Sequence, residues 1–139
     1  DSWTFDEKVR GCAPQVNGEE PLNQNYFDQA KKDTYNIFKN NQNVHILDLN
    51  SAEASSNYLD NYFDYIYLDA EHSYKAVIND LNMWYPKLKN NGILFGDDYY
   101  WREEDYTLSL HNAYQDFINM NNIKKWCVFK SQITIIKNE

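Results

Sequence analysis

The stretch from Phe63 to Trp101, FDYIYLDAEHSYKAVINDLNMWYPKLKNNGILFGDDYYW, constrains the chain more than any other. It runs as strand, acidic loop, amphipathic helix, strand, acidic loop. Phe63 to Asp69 is almost continuously apolar, as expected of a strand covered on both faces. From about Ser73, the residues Tyr74, Val77, Leu81, Trp84 and Leu88 recur at helical spacing and form one apolar stripe. Pro86 ends that helix near Trp84, and Asn91-Gly92 supplies a turn. Gly92 to Asp97 is the next strand. Both strands run into carboxylates, Asp69 after the first and Asp97 with Asp98 after the second. In an open parallel sheet such ends share one crevice, where ligands bind.

The flanks extend the pattern. Residues 4–24 hold two of the three prolines and two of the four glycines and read as a long loop. Residues 25–40 place Phe27, Ala30, Thr34, Ile37 and Phe38 on one helical face, with Asn25 as the cap. Val44 to Leu49 is a short apolar strand. Ser51 to Asn61 is a short helix capped by Asn50 or Ser51. Thr107 to Asn121 is a helix with Leu110, Tyr114, Phe117 and Ile118 facing inward. Residues 124–130 and 132–137 are close apolar runs that pair as an antiparallel hairpin. Alternating helix and strand ending in a hairpin predicts an α/β fold. Its sheet is mostly parallel, with helices on both faces and an antiparallel edge.

A chain of 139 residues makes one domain, residues 1–139. The 42% hydrophobic and 17% aromatic content supports a real core rather than disorder. Thirteen basic against 21 acidic residues, net charge -8, with no basic patch, disfavour a nucleic-acid partner. No apolar run approaches a membrane span. Cys12 and Cys127 make a disulfide framework improbable and fit a reducing, cytoplasmic compartment. Cys127, in an apolar strand, is expected as a buried small hydrophobe.

Three motifs in order carry a resemblance: LDAEHSY (Leu68 to Tyr74), DLNMWYPKL (Asp80 to Leu88) and GDDYY (Gly96 to Tyr100). With the terminal hairpin, they resemble the latter part of a class I S-adenosylmethionine-dependent methyltransferase, of the small-molecule O-methyltransferase-like group. The resemblance implies a Rossmann-like sheet, S-adenosylmethionine as cofactor and a small-molecule or sugar methyl acceptor. The family's first strand and glycine-rich turn have no counterpart. Asp1-Ser2-Trp3 resembles the end of the family's second strand, so an N-terminally incomplete domain is expected. Unpaired strand edges would then favour a homo-oligomer.

Asp69, Asp97 and Asp98 are the candidate metal ligands; oxygen donors of this kind suit magnesium. In metal-dependent catechol-type methyltransferases acids at these strand ends hold the ion. The alternative is that these acids cap the following turns. His72 stands where those relatives carry a lysine base, so it and Asp69 are the catalytic candidates; a helix-start histidine with a structural partner is the plainer account. For the cofactor, the resemblance points to Asp1 and Trp3 at the ribose, Asn50 and Ser51 at the adenine, and Asp69. Asn50-Ser51 reads equally as a helix cap. Tyr99, Tyr100 and Trp101 either pack an acceptor or cover the sheet end as core. Trp84, on the stripe, is core. His45 and His111 receive no role. Two other functions are open: a non-catalytic truncated Rossmann-like module acting through self-association, and a metal-dependent nucleotide-sugar transferase, which the order of elements disfavours.

Overall fold

The computed structural model describes Trp3 and residues 23–102 and 105–138. Asp1, Cys12 and nearly all of the expected loop at 4–24 lie outside the described residues. The chain falls into two compact units, residues 1–54 and 55–139.

In the first unit, α1 spans Gln24–Phe38. Its cap is Asn23 rather than Asn25: the Asn23 Oδ1 accepts from the Tyr26 amide at 3.2 Å. Phe27, Ala30 and Thr34 share a half-buried face, but Ile37 (72% exposed) and Phe38 lie open, and the helix buries no residue fully. The Lys31 ammonium pairs with Asp48. The strand expected at 44–49 is not formed. An apolar run becomes a strand only where a neighbour completes its ladder, and the Val44 amide instead closes a turn on the Asn41 carbonyl at 3.2 Å. α2 is Ser51–Ser56, shorter than expected. Asn50 Oδ1 accepts from the Glu53 amide at 2.9 Å, and Glu53 reaches back to the Asn50 amide at 3.4 Å. That is a reciprocal capping box, so the Asn50 side chain serves as a helix cap.

The second unit holds a four-stranded sheet in the order β1-β2-β4-β3. The strands are β1 (Phe63–Leu68), β2 (Leu88–Gly96), β3 (Lys125–Phe129) and β4 (Gln132–Ile136), with helices α3 (Tyr74–Trp84) and α4 (Ser109–Met120) between them. β1 and β2 are parallel; β4 is antiparallel to both β2 and β3. Three strands therefore point one way, and the last strand is inserted between β2 and β3 with reversed direction. The segment boundaries follow local chemistry. Ser73 caps α3 by accepting from the Ala76 amide. Pro86 sits in a 3-10 turn, Tyr85–Lys87, that stops the helix at Trp84. β2 begins earlier than expected, at Leu88, and its register slips between Phe63 and Tyr65. The left-handed Asn91 (φ 61) absorbs the extra residues.

One core unites α3, α4 and one sheet face. Ile66, Leu94, Ile133 and Ile135 come from the strands, Val77 and Leu81 from α3, and Leu110, Ala113, Tyr114, Phe117 and Ile118 from α4. All four inward residues expected on α4 are buried. On the expected α3 stripe Val77, Leu81 and Leu88 are buried, whereas Tyr74 is exposed and donates to Asp116 at 2.8 Å. Trp84 is half-buried and packs on Phe63 and Tyr58. Cys127 is exposed, not buried. Its register opposite Thr134 turns it away from the face carrying Ile133 and Ile135, and β3 is an outer strand. Lys137 closes the sheet end: its ammonium donates to the carbonyls of Leu88 (2.6 Å) and Pro86 (3.1 Å) and to Asn61 Oδ1 (3.1 Å). Burial lowers its pKa.

Candidate functional site

Backbone pairing sets the crevice at the C-terminal ends of β1 and β2. Beyond Gly96, the Asp97 amide still donates to the Leu68 carbonyl at 3.1 Å. The parallel pairing thus continues one step and carries Asp97 to the place where β1 gives way to Asp69. The crevice is lined by the polar residues Asp69, Glu71, His72, Asp80, Asp97 and Tyr114, with Leu68, Val77 and Leu110 as apolar wall. Every one of these belongs to the second unit.

The structure brings Asp69, His72 and Asp98 together: one ligand atom from each lies within 4.8 Å of the others. His72 Nε2 is 3.2 Å from Asp98 Oδ2. Asp98 holds a left-handed backbone (φ 50), a region that aspartate tolerates better than most residues. From there the chain turns at once. The Trp101 amide donates to the Asp98 carbonyl at 2.7 Å, and the Tyr99 amide donates to Ser131 at 2.8 Å. The Trp101 ring lies 4.9 Å from the His72 ring, tilted by 34°.

Asp97 turns elsewhere. One carboxylate oxygen accepts from the Tyr67 hydroxyl and the other from the Asp98 amide at 2.9 Å. The Tyr67 bond, then the amide, hold the Asp97 carboxyl below the usual carboxylate range. The same bond, then burial, pushes the Tyr67 phenol up to about 12. These shifts set two pH limits. The phenol's contribution to stability is complete below its ordinary value of about 10 and fades as pH climbs toward the raised one. The carboxylate's contribution is complete above its ordinary value and fades as pH falls through the lowered one. Tyr67→Phe should flatten both limbs. Urea midpoints measured from acid to alkaline solution check this, and unchanged slopes in the variant would refute it.

Burial, then the charges of Asp80, Asp69 and Asp97, raise the Tyr114 pKa strongly, so its hydroxyl stays protonated against the crevice. Of the aromatics after the acids, Tyr99 is core (2% exposed) and its hydroxyl accepts from Gln115, while Tyr100 is 52% exposed. Asp69, Asp97, Asp98 and His72 thus converge at one end of the sheet. Trp3, Asn50 and Ser51 lie in the first unit and Asp1 lies outside the described residues. Sequence reasoning missed Tyr67, Asp80 and Tyr114 as site residues. Asp80 left a signal, since a carboxylate interrupts an apolar stripe next to Leu81, and a buried polar group is the informative exception. Tyr67 left none, because only register places it beside Asp97.

An α/β sheet with one reversed strand between parallel ones, and acids at the carboxyl ends, is the arrangement of Rossmann-like methyltransferases. The chain belongs to the methyltransferase domain family, whose model matches residues 5–99. It is 34% identical over 86 residues to the uncharacterized protein R132 of Acanthamoeba polyphaga mimivirus, covering 59% of this chain and 37% of that protein. A solved Corynebacterium glutamicum protein superposes with TM-score 0.64 at 12% identity, covering 83% of this chain and 57% of its own. A Staphylococcus aureus structure assigned as a caffeoyl-CoA O-methyltransferase gives TM-score 0.60 at 17% identity, covering 81% and 60%. The chain spans about a third of the curated relative and under two thirds of each solved neighbour. Among the described residues, no helix is long and apolar enough to cross a membrane.

Proposed function

We propose that this chain carries part of an S-adenosylmethionine-dependent methyltransferase acting on oxygen of a small molecule or sugar. The observation that carries the proposal is the family match together with the acidic end of β1 and β2. Among the described residues, four carboxylates and no lysine or arginine line the crevice, a field that favours a cation, whether a sulfonium or a divalent ion. S-adenosylmethionine, when bound, supplies a methyl group on a positively charged sulfur. Asp69 is the crevice acid proposed to face the cofactor. His72 is the proposed proton acceptor: its imidazole would take the acceptor hydroxyl's proton while the methyl carbon–sulfur bond breaks, the pair staying on sulfur, and the oxygen bonds to that carbon. Crevice walls and positioning supply the rest of the rate.

The donor set also fits magnesium. Asp69 and Asp98 present carboxylate oxygens within 4.8 Å of each other, and such hard donors suit that ion. They would hold it and lower the pKa of an acceptor hydroxyl. Asp97, occupied by Tyr67 and the Asp98 amide, would support Asp98 from behind. The S. aureus neighbour's description supports an oxygen acceptor, and the comparisons favour a self-associating, non-catalytic module no better. The protein should bind S-adenosylmethionine in calorimetry and release S-adenosylhomocysteine when given a catechol or sugar acceptor. Neither heat nor product across an acceptor panel would overturn the proposal.

A further inference from the structure

Tyr114 brings a buried hydroxyl to the crevice that its neighbours leave unanswered. The residue is 2% exposed, with its ring in the core between α4 and the sheet. The Tyr99 hydroxyl accepts from Gln115 and the Tyr67 hydroxyl donates to Asp97. Among the described residues, no group donates to the Tyr114 hydroxyl or accepts from it. Buried polar groups in folded proteins almost always find a partner, in the protein or in water, because an unpaired one costs free energy. The hydroxyl lies over Gly96, where a built Cβ would overlap the phenol oxygen. Gly96 ends β2, so the hydroxyl arrives at the crevice, which Tyr114 lines together with Asp80 of α3. Asp80 is itself 8% exposed. Among the carboxylates, its charge acts on the phenol more strongly than those of Asp69 and Asp97. The crevice has about 20 Å³ of room for water-sized spheres, enough for about one oxygen.

We propose that Tyr114 and Asp80 form a site for one hydroxyl-type oxygen, taken by water in the free protein and by a hydroxyl of the acceptor in the complex. The chemistry of the pair selects that group. A neutral phenol has one hydrogen to donate, and an ionised carboxylate only accepts. An oxygen seated between them must therefore accept from Tyr114 and donate to Asp80. Water, alcohols and phenols do both. An ether or a carbonyl accepts but has no hydrogen to give, and an ammonium has no lone pair to offer. Other bonds to Asp80 leave room for this one, since a carboxylate accepts at about four lone-pair positions. The acceptor half of the inference rests on the proposed methyltransferase reading and narrows its substrate class: the site seats a free hydroxyl and rejects an ether in the same place. The water half stands without that reading.

Tyr114→Phe keeps the ring and removes only the hydroxyl, so it tests the site in a folded chain. A crystal structure of the parent should show one ordered water within about 3 Å of both the Tyr114 hydroxyl and an Asp80 carboxylate oxygen, and the variant should lose it. The urea midpoint should fall in Tyr114→Phe, because a hydroxyl paired through water contributes to stability. Removing a dry, unpaired hydroxyl would leave the midpoint unchanged or raise it. Catechol titrated into the labelled protein by NMR should bind the parent about 2–10-fold more tightly than Tyr114→Phe, the usual worth of one hydrogen bond. Its dimethyl ether should bind weakly, and equally, to both. A protein group in place of the water on the Tyr114 hydroxyl, or a midpoint that does not fall, would overturn the site. Catechol binding that ignores the Tyr114 hydroxyl, or no catechol binding with the water in place, would overturn the acceptor half. Catechol bound as expected but never methylated would instead refute the proposed reaction and leave the hydroxyl site intact.

Discussion

Replacing Gly96 by alanine should destabilise the second unit at or beyond the upper end of the about 1–3 kcal/mol typical of overpacked cores. A Cβ at Gly96 would stand 1.9 Å from the Tyr114 hydroxyl oxygen, 2.4 Å from its ring carbon and 3.0 Å from Ile133 Cγ2. None of these can retreat easily. Tyr114 is 2% exposed and Ile133 is fully buried, and both sit in the core between α4 and the sheet. Either α4 lifts from β2 or the strand shifts, and a folded domain of this size has only about 5–15 kcal/mol in hand. Denaturant titration should show a lower midpoint. Tyr114→Phe in the same chain should recover part of the loss, since it removes the oxygen at 1.9 Å but keeps the carbon at 2.4 Å. A double-mutant cycle then gives a favourable coupling of about 0.5–3 kcal/mol, as for residues in contact. Equal stability of Gly96→Ala and the parent would show that Tyr114 does not rest on Gly96. Because Asp97 and Asp98 follow Gly96 directly, any shift of the strand end also moves the crevice acids.

The second large effect concerns turnover. His72→Gln should lower kcat by about 10²–10⁴-fold, the usual cost of losing a general base, with S-adenosylmethionine affinity nearly unchanged, since the base acts on the acceptor. Asp97→Asn should raise the magnesium concentration needed for activity, because the charge beside the proposed ion falls. Single-turnover assays with and without a chelator separate the roles. Full activity in chelator would discard the ion and leave His72 standing. Full activity in His72→Gln would discard the base and leave a mechanism resting on positioning.

Much of this was legible in the residues themselves. Ser73, Pro86 and the Val77–Leu81–Leu88 stripe specify α3 and its end by local chemistry, because caps, prolines and helical periodicity act within a few residues. The acids at the ends of β1 and β2 were legible for the same reason, since a strand's end and its direction are local properties once the helix between is known. The hairpin of β3 and β4 followed from two apolar runs too close to do anything else. What failed was whatever depended on a neighbour. Val44 to Leu49 has strand composition, but a ladder needs a second chain segment, and here the Val44 amide is committed to a turn. Cys127 lies among apolar residues, yet its exposure depends on which side of an outer strand it occupies. The insertion of β4 between β2 and β3 has no local signature, and it brings Ser131 beside the turn that carries Asp98. The roles within the acidic cluster were settled in the same way. Composition makes Asp69, Asp97 and Asp98 equivalent. Register places Tyr67 under Asp97, while the turn at Asp98 swings the third carboxylate onto His72. The sequence by itself determined the four helices, four of the five expected strands and where the acids stand. Only tertiary structure decided which acid meets which partner, because hydrogen bonds between side chains distant in sequence depend on strand order and register, which no short stretch of sequence encodes.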